Sequence, residues 1–162
     1  MASHQLSMAQ RIGVNYYRAK LKMLNAFSKQ AAAKATMDIF TKPYANTKRK
    51  DTLLFKHAKR FQFESEGIQL MGYYFVSEVP TDKKLLLIHG FAGSCRSFEK
   101  YIVAATKKGY NVYTFDAPAH GLSKGKRLNV LMYRNAVIEM MQLHGPFDAY
   151  ISHSLGGLAL ML

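Results

Sequence analysis

Two regimes of apolar and polar spacing divide the chain. Between residues 10 and 40, Tyr17, Leu21, Leu24, Ala31 and Ala35 recur at helical spacing, with Arg18, Lys20, Lys22, Lys29 and Lys34 mostly between them. That pattern predicts a basic amphipathic helix or a broken pair of helices. Pro43 and the polar stretch through Asp51 punctuate it as a linker, with a boundary at about residues 41–58. From residue 61 the period changes. Residues 61–66 and 68–76 are rich in aromatic and β-branched side chains on either side of Gly67, the pattern of a hairpin. Pro80, Thr81 and Asp82 close it. Short apolar runs at 85–88, 112–115 and 150–151 then alternate with helical stretches near 97–108 and 130–144, as a parallel sheet with crossover helices requires. Right-handed crossovers give the expected strand order one, two, four, three, five. The expected organisation is a basic helical arm with its linker over 1–58 and an α/β unit over 59–162.

Composition refines this picture at one point. Ten Phe, ten Tyr and only four Pro in a chain that is 49% apolar argue for a packed core. The net charge of +13 sits almost wholly in the arm: residues 1–60 hold 13 Lys/Arg against Asp38 and Asp51, leaving +11, whereas 61–162 hold 10 Lys/Arg and 8 acids, leaving +2. A nucleic-acid partner is not expected, because these cations scatter around a helix and carry no reading motif. The arm's apolar stripe is read as covering part of the α/β unit, with peripheral contact to an anionic membrane as the alternative. A single cysteine, Cys95, excludes an internal disulfide, and no Cys/His cluster has metal-ligand spacing. With no apolar run of membrane-spanning length, the expectation is a cytoplasmic protein, at most peripheral to a membrane, that uses no metal and no cofactor.

Three segments carry chemistry. Ser152-His153-Ser154-Leu155-Gly156-Gly157 follows a short strand and precedes the apolar run 158–162. A serine at the tip of a sharp strand-to-helix turn needs small residues two places before and after it, and Ser152 and Gly156 meet that need. The helix beginning at Leu155 offers an unpaired N–H to charge developing beside Ser154. His89-Gly90-Phe91-Ala92-Gly93 follows the run 85–88, and Asp116-Ala117-Pro118-Ala119-His120-Gly121-Leu122-Ser123 follows the run 112–115.

In this order the segments resemble the nucleophile elbow, the His-Gly oxyanion loop and the loop after the fourth strand of α/β-hydrolases. In the last of these, Pro118 and Ala119 stand where the family usually has Arg-Gly. The resemblance covers about residues 61–162 and is nearest to bacterial serine aminopeptidase-like and monoacylglycerol-lipase-like hydrolases. It implies Ser154 as nucleophile, the backbone N–H groups of Phe91 and Leu155 as oxyanion donors, and acyl transfer from a small-molecule carboxylic ester, thioester or amide. Serine rather than aspartate at 154 points away from the epoxide-hydrolase and dehalogenase branches.

His89, Gly90, Asp116, His120, Gly121, Ser152 and Gly156 are expected to shape the motifs, and His153 to be structural. A serine at 154 serving only as a helix N-cap is the plainer alternative. The family order places the triad acid and base after the serine, so neither is expected within these residues. The sheet is accordingly expected to stop after the elbow, to be incomplete or inactive as a catalyst, and to need a carboxy-terminal portion or an oligomeric partner. A non-catalytic interaction or membrane-surface module is the alternative function.

Overall fold

The computed structural model describes residues 7–43 and 51–162, which fall in two compact units, Met1–Thr41 and Lys42–Leu162. The predicted linker over 44–50 lies outside the described residues. In the first unit, α1 (Met8–Phe27) is opened by a capping box in which the Ser7 side chain accepts from the Gln10 N–H and the Gln10 side chain accepts from the Ser7 N–H. Ser28, in an extended conformation, ends it, and α2 (Lys29–Thr41) follows at once and packs on α1. The predicted helical arm is therefore a broken pair.

The second unit begins with α3 (Leu53–His57), inside the segment assigned to the linker from sequence. Its Phe55 is fully buried, edge-on to Tyr73 and Phe75 at 5.3 and 5.2 Å, so this short helix is seated on the sheet. β1 (Lys59–Ser65) and β2 (Ile68–Phe75) form the hairpin, turning at Glu66 and Gly67, both at positive φ. β3 (Lys84–Ile88), α4 (Glu99–Lys107), β4 (Asn111–Phe115), α5 (Val130–His144), β5 (Ala149–Ser152) and α6 (Leu155–Met161) complete the alternation. The strand order is β1-β2-β4-β3-β5, with β3 parallel to both β4 and β5 and the hairpin joined antiparallel through β2 to β4.

Side chains alternate across the strands and build one core on each face. Leu86 and Ile88 of β3 join Phe115, Tyr133, Val137, Met140 and Ala159 beneath α5 and α6. Leu85 and Leu87 join Phe55, Tyr73, Phe98, Ile102 and Val112 beneath α3 and α4. The result is a layered α/β/α unit whose parallel strands end together at the loops holding the three sequence motifs. Among the described residues, no helix is long and apolar enough to cross a membrane, and no His/Cys/Asp/Glu group could hold a metal ion.

Candidate active site

Ser154 joins β5 to α6 with φ 51° and ψ −122°, a combination outside the left-handed helical well that non-glycine residues occasionally use. It occupies the N-cap position of α6, but its hydroxyl makes no capping bond to the helix. The turn is tight enough to dictate its neighbours. A Cβ on Gly156 would stand 2.5 Å from the His89 carbonyl oxygen and 2.7 Å from that of Ile88, so only glycine lets α6 start against the end of β3. Ser152 keeps its extra hydroxymethyl because it faces another glycine, a Cβ on Gly157 falling 3.2 Å from Ser152 Oγ. The Ser154 side chain itself is exposed.

The His-Gly loop is pressed directly against this elbow. A Cβ on Gly90 would lie 3.1 Å from Ser154 Cβ and 2.6 Å from His153 Nδ1, which places the exposed ring of His153 over Gly90. No acceptor among the described residues takes the N–H of Phe91 or of Leu155. Both N–H groups are thus without a backbone acceptor among the described residues. Next to them, a cavity of about 340 Å³ is lined by Gly90, Phe91, Phe98, Tyr101, Ile151 and His153, among others.

Both loop histidines are buried and fully committed. His89 accepts the Ala117 N–H at Nε2 (3.0 Å), which leaves Nδ1 as the protonated nitrogen donating to the Gly90 carbonyl (2.8 Å). His120 repeats the arrangement, accepting the Ala92 N–H at Nε2 (3.0 Å) and donating from Nδ1 to the Pro118 carbonyl (2.8 Å). Burial pushes the His89 imidazole down to about 4 and lowers that of His120, against the pull of those carbonyls and of Asp116. Each ring therefore pins one loop to the other in its neutral form and has no nitrogen to spare for Ser154.

Asp116 is fully buried and acts in the same way. Its carboxylate accepts from the N–H (3.2 Å) and thiol (3.0 Å) of Cys95, from the Leu122 N–H (3.0 Å), from Tyr73 Oη (3.2 Å) and from Arg96 (3.3 Å). Gly121, at φ 51°, leaves room for it, since a Cβ there would overlap the carboxylate. Ser123 Oγ donates to the Asp116 carbonyl and accepts the Met71 N–H, tying this loop to the hairpin.

Sequence reasoning missed three participants. Arg96, 5% exposed, lies between Asp116 and Asp51 and stacks on Phe55 and Tyr73 at 5.1 and 5.2 Å. Tyr133 donates its hydroxyl to the His89 carbonyl at 2.7 Å from the first turn of α5. Asp51 accepts from Arg60 and Arg96, whose guanidiniums hold its carboxyl below the usual range against the opposing effect of burial. An arginine as the single formal charge between Gly90 and Phe98 was the one sequence signal for this network.

The family model for serine aminopeptidase, S33, matches residues 79–162, just over half of the chain. The hydrolase YugF of Bacillus subtilis (strain 168) is 28% identical over 102 residues, which cover 59% of this chain and 36% of that protein. Among solved structures, epoxide hydrolase VrEH1 from Vigna radiata superposes with a TM-score of 0.56 at 15% identity, over 68% of this chain and 34% of that one. The thioesterase domain from the curacin biosynthetic pathway superposes with a TM-score of 0.56 at 20% identity, over 63% and 39%. At these identities the structures share the fold alone. The chain spans about 36% of the curated relative and about 34% of the epoxide hydrolase.

Proposed function

Because the chain belongs to the serine aminopeptidase (S33) family of α/β-fold hydrolases, we propose that Ser154 is its nucleophile and attacks the acyl carbon of a small-molecule ester, thioester or amide. The reading rests on one observation: a serine at φ 51°, ψ −122°, at the end of a parallel strand, with Gly156 packed against the strand carbonyls behind it. Such a turn lifts the hydroxyl clear of the sheet, where a carbonyl can reach it. Attack moves the carbonyl electron pair onto oxygen, and the N–H groups of Leu155 and Phe91 stabilise that oxyanion. Collapse expels the alcohol, thiol or amine and leaves an acyl-serine, which water hydrolyses.

Proton transfer needs a base outside the two loop histidines, whose ring nitrogens are all bonded to backbone. The 162-residue chain by itself is therefore expected to turn over esters poorly. The oxyanion donors alone still supply roughly 10³–10⁴ over water in enzymes stripped of a triad member. A fluorophosphonate probe followed by peptide mapping tests the nucleophile: the adduct is expected on Ser154 and absent from Ser154→Ala. Labelling that survives Ser154→Ala, or rapid p-nitrophenyl ester turnover untouched by that substitution, would overturn the assignment.

A further inference from the structure

Helix α1 carries an apolar stripe that its own unit leaves uncovered. Met8, Ile12, Tyr16, Met23 and Phe27 are 82, 64, 60, 59 and 87% exposed. At 3.6 residues per turn they fall within roughly 100° of the helix circumference. The half-buried Leu21 and Leu24 lie outside this arc, Leu21 on the side opposite its centre, so the stripe is not the face that packs. A helix that only packed on a neighbour or only faced water would have no use for this second apolar face.

Charge identifies what the stripe fits. Lys20 borders it on one flank and Arg11 and Lys22 on the other, and no acidic residue occurs before Asp38. Cations on both margins of an apolar band, with aromatic rings inside it, match the two layers of an anionic membrane surface: acyl chains below and phosphate headgroups at the level of the lysines. A protein groove would satisfy the apolar band but not this symmetric cationic border. We propose that α1 docks the protein on an anionic lipid surface, lying in the interface plane with Met8, Ile12, Tyr16, Met23 and Phe27 turned into the acyl region. The inference does not depend on the chemistry of Ser154.

Co-sedimentation of the full 162-residue chain with phosphatidylcholine vesicles containing about 30% phosphatidylglycerol tests it, against phosphatidylcholine alone. Binding is expected to the anionic vesicles at about 0.1 M salt and to weaken as salt is raised to about 0.5 M. The double substitution Ile12→Ser with Phe27→Ser leaves the charge unchanged and removes apolar area at exposed sites, so it is expected to lower the partition coefficient tenfold or more. Helical content by circular dichroism is expected to stay at the parent level in that variant. Equal binding by the variant would reduce the contact to bulk electrostatics and overturn the proposal. So would a failure of the parent chain to bind anionic vesicles, or a concentration-dependent dimer that the same double substitution disperses.

Discussion

Acid is expected to undo the loop-to-loop pinning by His89 before it affects most of the core. The ring is 1% exposed, accepts an amide proton at Nε2 and donates from Nδ1. A second proton would have to go on Nε2, where it would point at the Ala117 N–H. Burial, the largest influence, holds the folded-state value near 4, whereas an unfolded histidine titrates near 6.5. Between those values the unfolded chain binds a proton that the folded chain refuses. The stability contributed by the neutral ring is thus complete above about pH 6.5 and is lost as pH falls toward 4. About 2.5 pH units at 1.36 kcal/mol each come to about 3 kcal/mol, a large share of a typical domain's total. Urea unfolding followed by circular dichroism at several pH values between about 7.5 and 4.5 measures the slope. His89→Asn keeps one donor and one acceptor but cannot titrate, so it is expected to cost stability at neutral pH and to flatten the slope. An unchanged slope in His89→Asn would refute the assignment of this pH dependence to His89.

Three further substitutions probe the scaffold. Gly156→Ala drives a Cβ to 2.5 Å from the His89 carbonyl and is expected to cost about 3 kcal/mol in urea melts, whereas Ser152→Gly is expected to change stability by less than about 1 kcal/mol. Arg96→Ala strips the buried cation from Asp116 and is expected to cost about 3 kcal/mol; a loss under about 1 kcal/mol would mean that the remaining donors to Asp116 suffice. Phe55→Ala is expected to cost about 3–5 kcal/mol, and a neutral result would show that α3 is not part of the core of the sheet.

What the sequence determined by itself was the succession of elements from the hairpin onward and the location of the motifs. The apolar run Leu85-Leu86-Leu87-Ile88, the turn at Gly67 and the small residues around Ser154 are properties of contiguous residues. Periodicity and turn chemistry report such local properties directly, and the strand–helix alternation taken with right-handed crossovers led to the strand order observed. The close approaches were decided by the tertiary structure. Arg96 meets Asp51 across 45 residues and Tyr133 meets the His89 carbonyl across 44, because the sheet order brings α3, α5 and the strand ends to one place. Phe55 shows the limit most clearly: in sequence it closes the short apolar triplet Leu53-Leu54-Phe55 within the segment assigned to the linker, and its role follows from the pocket that Tyr73 and Phe75 form once the hairpin has twisted into place. The neutral state of His89 and His120 is likewise a tertiary property, since it depends on backbone amides of Ala117 and Ala92, each supplied by the loop opposite. Burial and partner geometry exist only after distant segments have packed, so no local pattern encodes them.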